Sequence, residues 1–320
     1  MQRSRACLAV LSFEGRDLLA RTLPSIVSQR GSDFDVVVVD NGSTDDTAGY
    51  LARDWPGVRV VALEANVGVT AALNVCVRAG EGAEYVAILN NDVELEPDWL
   101  ATLIATLESH PEAAAASGKL LRFHEREVID RTGDLVFWSG AAFGRGAGET
   151  DQGQFDTAEE VFAVGGAAAL FRTSAFERVG SFDERFFAYL EDVDWGFRCR
   201  LAGMTARYEP RARGYHMGGA TLGLINPFSL YHLRRNVVWL VAKNHPAPSL
   251  LRHGWSVLAF LAAGLALSVR PRQLPVVLRA YFHAVRGLRP VLAQRREIQH
   301  ARRAAPRDLE AVMAGPTRLW

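Results

Sequence analysis

The sequence predicts an α/β protein: a mostly parallel sheet with helices on both faces, followed by a helical C-terminal region. Three observations carry this. Over residues 1–120, short β-branched runs alternate with longer helical patterns, the rhythm of parallel strands joined by helical crossovers. Val36–Val39 is four consecutive valines, which is how a strand buried on both faces reads. Beyond Asn226 the pattern is mostly helical to the end.

Taken in order, Ala6–Leu11 is the first strand and Asp17–Gln29 the first helix. The valine strand, a helix over Asp45–Arg53, a strand over Val58–Leu63, a helix over Val69–Ala79 and a strand over Tyr85–Leu89 follow. Pro97 and Asp98 open a helix over Trp99–Glu108. The rhythm changes after Gly118. Gly140–Gly153 has few anchors and is expected to be a mobile surface loop. Val161–Phe171 reads as one strand with a close backbone approach at Gly165-Gly166. Asp192–Ala202 is a helix ended by Gly203, and Thr205–Glu209 is a short strand. Helix breaks are expected at Pro271, Pro275, Pro290 and Pro306.

The chain has 320 residues, 49% of them hydrophobic, with Lys+Arg and Asp+Glu at 36 each. That is about two domains' worth of chain, with a core that needs no disulfide or metal staple. Zero net charge removes the whole-molecule case for nucleic-acid binding. The zero hides an asymmetry, because Arg270–Trp320 holds 11 Arg, no Lys and 3 acids, a balance of +8 against −8 for the rest. A basic tail on an acidic body implies a basic interaction surface. Trp255–Val269 is an apolar run of 15 residues, about 22 Å as a helix against a hydrocarbon core of about 30 Å. It reads as a buried helix or one lying in a membrane interface; a span would have to recruit Leu250 and Leu251 and let Arg252 snorkel. Cys7, Cys76 and Cys199 have neither zinc nor redox spacing. With a strand starting at Ala6 in place of a signal peptide, they suggest reduced thiols in the cytoplasm.

In an open parallel sheet, ligands bind beyond the carboxyl ends of the strands. Polar clusters fall there. In Asp40-Asn41-Gly42-Ser43-Thr44-Asp45, a turn and a helix cap explain Ser43 onward. They do not explain Asp40, a carboxylate at the tip of a buried strand that can accept hydrogen bonds from a base or ribose. Asn66-Val67-Gly68 opens a helix, and its glycine would let a phosphate approach, although such a triplet is also an ordinary turn. Asn90-Asn91-Asp92-Val93-Glu94 could hold a hard divalent ion or be an acidic loop. Further on, Glu191-Asp192-Val193-Asp194 starts a helix amid Phe186, Phe187, Tyr189 and Trp195. The helix dipole alone accounts for the acids, but a carboxylate beside an aromatic wall also suits a sugar. Asp192 and Trp195 share a helix face, while Asp194 points elsewhere. His216 is a packing residue or a metal ligand.

The combined order of these clusters, with Gly165-Gly166 and Phe182-Asp183-Glu184-x-Phe186-Phe187-x-Tyr189-x-Glu191-Asp192-Val193-Asp194, resembles the family-2 glycosyltransferases of the Rossmann-like GT-A fold over Ala6 to His245. Within them it is similar to the bacterial rhamnosyltransferase-like and galactofuranosyltransferase-like enzymes of surface polysaccharide synthesis. The resemblance implies a nucleotide-sugar half over residues 1–120 and an acceptor half over 121–226, with 227–320 as the basic helical region. It makes Asp40 the contact to the nucleotide base, with Ser12, Glu14, Asn66, Gly68, Asn90 and Asn91 around the donor. It makes Asp92 and His216 ligands of Mg²⁺ or Mn²⁺, with Asn90 where the family's metal motif has its first acid. Asp192 becomes the base that takes the acceptor's proton, and Gly166, Glu191 and Trp195 shape the acceptor site.

One base and no second nucleophile imply a single inverting displacement. The partners implied are a nucleotide-sugar, rhamnose on dTDP ahead of galactofuranose on UDP, and a glycan or lipid-linked acceptor. Arg270, Arg272, Arg279 and Arg286, interspersed with Leu and Val, suit anionic lipid at the cytoplasmic membrane face, although a solvated face or dimer contact would look the same. A sugar-phosphate nucleotidyltransferase would need a Gly-rich basic loop after the first strand, where Ser12-Phe13-Glu14-Gly15-Arg16 is poor in glycine. A non-catalytic glycan-binding relative would not need the Glu191-Asp192 pair.

Overall fold

The computed structural model describes residues 4–31, 33–218, 226–268 and 273–315. The first half alternates as expected: β1 (Ala6–Ser12), α1 (Arg16–Val27), β2 (Phe34–Asp40), α2 (Thr47–Asp54), β3 (Arg59–Ala62), α3 (Val69–Ala79) and β4 (Tyr85–Asn90). Then come β5 (Val93–Leu95), α4 (Trp99–Ser109), β6 (Ala113–Arg122), β7 (Ile129–Arg131), β8 (Asp134–Val136), β9 (Ala142–Gly144), β10 (Glu159–Val161) and β11 (Ala168–Arg172). α5 (Thr173–Val179), α6 (Glu191–Leu201) and β12 (Thr205–His216) complete the α/β part.

The main sheet runs β10-β12-β6-β11-β4-β1-β2-β3, with β5 on β12 and β7 on β6. Pairs β4-β1, β1-β2, β2-β3 and β6-β12 are parallel, while β11 runs antiparallel between β4 and β6. Both faces are covered. Val10, Val38 and Leu89 pack with Leu23 of α1 and Trp99 of α4. Val37, Val39 and Ile88 pack with Leu73 of α3 and Trp195 of α6. The valine run is continuous because alternate side chains enter different cores.

Several expectations change after Gly118. β6, of sequence AAAASGKLLR, was not anticipated; alanine is a poor strand former, and burial between β11 and β12 decides the matter. Gly140–Gly153 is anchored, since β9 pairs with β8 and the fully buried Lys119 of β6 binds Asp151 at 2.8 Å and also Asp156. Val161–Phe171 splits into β10 and β11, which lie on different neighbours. The strand expected over Thr205–Glu209 continues to His216.

The C-terminal helices are α7 (Pro227–Asn244), α8 (Ala247–Ala266), α9 (Leu274–Arg286), α10 (Leu288–Ala301) and α11 (Pro306–Ala311). Asn226 and Ser229 form a capping box at the start of α7. Pro275 and Pro306 start helices, as anticipated. Pro290 does not break one: it sits in the first turn of α10, and the break falls at Gly287. Pro271, Arg270 and Arg272 lie outside the described residues. Val237 and Leu240 of α7, Ala284 of α9 and Val291 of α10 share a cluster with Phe186, Phe197 and Leu201. The boundary expected at 226 therefore divides segments that share a core.

Helix α8 is long and apolar enough to cross a membrane by length and composition, and only 17% of its apolar stretch is buried, so it is not a core helix. Leu251, Trp255 and Leu258 form an exposed stripe at helical spacing. Leu278, Phe282 and Val285 form a second on α9.

A buried ion cluster ties α7 to α6. Lys243 Nζ donates to Asp183 Oδ2 at 2.7 Å and to Asp194 Oδ2 at 2.8 Å. Arg198 and Asn244 also donate to Asp194. Burial pushes the Asp183 carboxyl upward, but Arg185 and Lys243 outweigh this and hold it well below the usual carboxylate range. Lys243→Met takes the shared cation from two buried carboxylates, leaving Asp183 only Arg185 and Asp194 only Arg198, and is expected to cost about 3 kcal/mol, read as a lower midpoint in urea unfolding at pH 7. Because the Asp183 value is depressed, its contribution exists above about pH 4 and fades as pH falls through the folded value. The difference between wild type and variant should therefore shrink in acid.

Candidate active site

The site forms at the carboxyl ends of β1, β2 and β4, where the chain switches from one side of β1 to the other. β1 and β2 end in register at Ser12 and Asp40. Asp40 is buried, and its Oδ1 accepts from Ser43 N at 3.2 Å and from Ser43 Oγ. Glu14 Oε1 accepts from Thr44 N at 2.9 Å and Thr44 Oγ1 at 3.0 Å, bracing the loop after Asp40. Asn41, not singled out from the sequence, donates to Asn66 Oδ1 at 3.1 Å and accepts from Val67 N at 3.0 Å. It thereby ties the loops after β2 and β3 together.

Asp92 follows β4. β5, unanticipated, pairs with the end of β12 and places His216 opposite Val93, next to Asp92. Asp92 Oδ1 is buried, makes no hydrogen bond and stands 3.3 Å from His216 Nε2. His216 Nδ1 lies 3.0 Å from Asp130 Oδ2 on β7. Burial alone would lower the imidazole pKa; Asp130 and Asp92 outweigh it and raise it to about 9. An unpartnered carboxylate oxygen facing an imidazole whose other nitrogen is held by a carboxylate is the donor arrangement of a metal-binding histidine. Among the described residues no three His, Cys, Asp or Glu side chains converge as a complete metal cage. Two protein ligands nevertheless fit a hard ion whose other positions are filled by phosphate and water oxygens.

The other half of the site is the start of α6. Ten of its eleven residues are buried, and Asp192 is the exception. Asp192 Oδ2 accepts from Gly166 N at 3.0 Å, and Oδ1 from Val193 N at 2.8 Å. Glu191 is buried with Oε2 unpartnered; burial, then the Asp192 charge, raises its pKa. The approach to α6 is strained. Phe187, Tyr189 and Leu190 all have φ near +65°, at 65°, 67° and 67°. Asn236 of α7 holds that segment through bonds to the carbonyls of Phe186, Ala188 and Tyr189, at 3.0, 2.8 and 2.7 Å.

Residues 7–180 match the model of glycosyl transferase family 2. The chain belongs to that family. It is 32% identical over 219 residues to the N-acetylglucosaminyl-diphospho-decaprenol L-rhamnosyltransferase of Mycobacterium tuberculosis, covering 62% of this chain and 71% of that one. It is 31% identical over 223 residues to the O-antigen biosynthesis protein RfbC of Myxococcus xanthus, covering 66% of this chain and 17% of that one. Among solved structures, the mannosyltransferase PcManGT of Pyrobaculum calidifontis, in complex with GDP-Man and Mn²⁺, shares the fold. It has a TM-score of 0.56 and 20% identity, and the match covers 94% of this chain and 86% of that one. Residues 1–349 of TarS from S. aureus with UDP-GlcNAc match at TM-score 0.58 and 18% identity over 96% and 89%. The protein is therefore a glycosyltransferase with the GT-A architecture.

Within this glycosyltransferase several anticipated contacts are reassigned. Trp195 is 2% exposed, packed among Phe171, Phe176 and Phe182, with Nε1 donating to Gly180 O at 3.2 Å. It is a core residue and no acceptor wall. The exposed aromatics beside α6 are Phe187 and Phe228. Gly68 has φ +88°, and a Cβ there would lie 2.6 Å from the Phe187 ring, so the glycine admits a ring where a phosphate was expected. Ser12 and Asn91 are buried and bonded to each other at 3.0 Å, so they brace strand ends instead of reaching a ligand. Asn90 is half-buried, with its backbone N–H on Ala167 O. Asp194 points away from Asp192, as expected, but into the ion cluster with Lys243 and not into solvent. Asp130, Arg131, Asp134 and Asn236 were missed; nothing in their local sequence marks them, because their partners come from distant segments.

Proposed function

We propose that this glycosyltransferase moves a deoxyhexose such as rhamnose from a nucleoside diphosphate to a hydroxyl of a lipid-linked glycan, with inversion, during bacterial surface polysaccharide synthesis. The observation that carries the reading is Asp192: the one residue of its helix that is not buried, with its carboxylate oriented by two backbone N–H groups. The similarity to a rhamnosyltransferase whose name specifies a decaprenyl-diphosphate acceptor supports the choice of substrates.

The residues divide the work. Asp40 and the loop braced by Glu14 receive the nucleoside, with Asn41 and Asn66 keeping the neighbouring loop in place. Asp92 and His216 would hold a divalent ion, which as a Lewis acid supplies charge neutralisation at the leaving diphosphate. Asp130 keeps the His216 ring turned toward Asp92. As the bond from the anomeric carbon to the diphosphate breaks, the acceptor oxygen forms its bond from the opposite face and Asp192 takes the hydroxyl proton. A carboxylate is a weak base for an alcohol, so the transfer occurs late, once the attacking oxygen has become acidic. A single displacement inverts the anomeric centre. Phe187 and Phe228 offer an apolar surface for the acceptor in the place anticipated for Trp195.

The same reading puts the enzyme at the cytoplasmic face of the membrane. The stripes Leu251-Trp255-Leu258 and Leu278-Phe282-Val285 are exposed, with Arg279, Arg286 and Arg289 also at the surface, the composition of a peripheral lipid contact.

Three outcomes test this. Asp192→Asn should lower turnover by roughly 10²–10⁴-fold with little change in donor affinity, measured by transfer from dTDP-rhamnose beside calorimetric titration of the donor; normal turnover would remove the base assignment. Asp92→Ala should abolish stimulation by Mn²⁺ or Mg²⁺ in the same assay, and activity indifferent to both the substitution and excess chelator would remove the metal. Leu258→Ser combined with Phe282→Ser should release the full chain from vesicles containing anionic phospholipid without lowering its unfolding midpoint. Vesicle binding that persists unchanged would exclude this face as the lipid contact.

A further inference from the structure

Arg131 has no part in the chemistry above, yet it is built into the same spot. The dipeptide Gly165-Gly166 lies between it and Asp192. A Cβ on Gly165 would sit 2.3 Å from Arg131 Cδ and 2.4 Å from Nη1. Gly166 donates its N–H to Asp192 Oδ2, and a Cβ there would lie 3.3 Å from that oxygen. Glycine at 165 is thus a requirement of the arginine stem, and the backbone at 166 is a requirement of the carboxylate.

The arginine is anchored at its far end, where Nη1 donates to Asp134 Oδ1 at 2.8 Å. Three buried polar atoms in this neighbourhood have no partner: Arg131 Nε, Asp134 Oδ2 and Glu191 Oε2. Buried polar atoms are nearly always satisfied, and exceptions mark functional sites. A purely structural pair could be replaced by apolar groups of equal volume without loss, so stability does not explain the arrangement. The charged groups around Asp192 are Arg131 on β7, Asp134 on β8 and Glu191 on α6 itself. Of these only Arg131 is a cation; Asp194, on the same helix, is occupied with Lys243 and Arg198.

We propose that Arg131 is the positioning residue of the base: anchored by Asp134 and seated on Gly165, it holds the backbone whose next N–H, that of Gly166, aims the Asp192 carboxylate. The inference rests on Asp192 being the base.

The test uses the full chain with dTDP-rhamnose and a polyprenyl-diphosphate-linked N-acetylglucosamine, following kcat and KM. Arg131→Met removes the charge and keeps most of the stem. It should lower kcat roughly 10–100-fold with donor KM nearly unchanged. Arg131→Lys keeps a donor for Asp134 and should recover most of that loss. Asp134→Asn frees the anchor and should lower kcat in the same way, again with donor KM nearly unchanged. If Arg131→Met does not fold, the lysine and asparagine variants still carry the test through these two expectations. An unchanged kcat in Arg131→Met, or a donor KM that rises in step with the loss of kcat, overturns the inference. Asp192→Asn is run in parallel: if it retains normal turnover, the base assignment itself fails, whereas an inactive Asp192→Asn beside an unchanged kcat in Arg131→Met and Asp134→Asn sinks only the role of Arg131.

Discussion

The contact between Lys243 and the pair Asp183–Asp194 is the constraint on which the rest of the site depends. An ammonium and two carboxylates are buried together at 2.7 and 2.8 Å, and breaking such a cluster leaves an uncompensated charge in a low dielectric. It fixes α6 against α7 at one end. At the other, Asn236 holds three carbonyls of the segment before α6. Three non-glycine residues there adopt left-handed φ, each costing about 1–3 kcal/mol, a conformation that persists only where its surroundings over-determine it. The outcome is a helix buried on every side except at Asp192. The position of Asp192 is thus enforced from behind by α7, whose own sequence carries no catalytic signature.

A second constraint comes from β7. Asp130 and Arg131 are consecutive on a strand, so their side chains leave on opposite faces. One meets His216 and the other seats on Gly165 beside Asp192. A strand of three residues therefore touches both His216 beside Asp92 and the Gly165-Gly166 backbone beside Asp192. This also explains the Gly165-Gly166 interruption, which the sequence displayed without its reason.

Helix α7 also connects the site to the outer face of the molecule. Through Val237, Leu240 and Trp239 it packs against α9 and α10, and the outward faces of α8 and α9 carry the exposed apolar stripes. The helix that carries Asp192 is thus locked to the same element that supports the helices with exposed apolar stripes.

Much of the N-terminal half was legible in the sequence, because there the determinants are local. A four-valine run, a proline opening a helix and the order of polar clusters after strands depend only on residues a few positions apart, and they placed β1 to β4 and the helices α1 to α4, with Asp40 at a strand end and Asp92 just beyond one. What tertiary structure alone decided are matters of long-range partnership. The alanine-rich β6 is a strand because two strands enclose it; Trp195 turns inward because Phe171, Phe176 and Phe182 pack around it; Gly68 faces a phenyl ring because a strained loop arrives from residue 187. Asp130, Arg131, Asn236 and Lys243 acquire roles only through groups brought from elsewhere in the chain. Covalent spacing determines local periodicity and which residues end a strand, whereas the partner of a buried charge is chosen by the packing of segments that the chain order alone does not bring together.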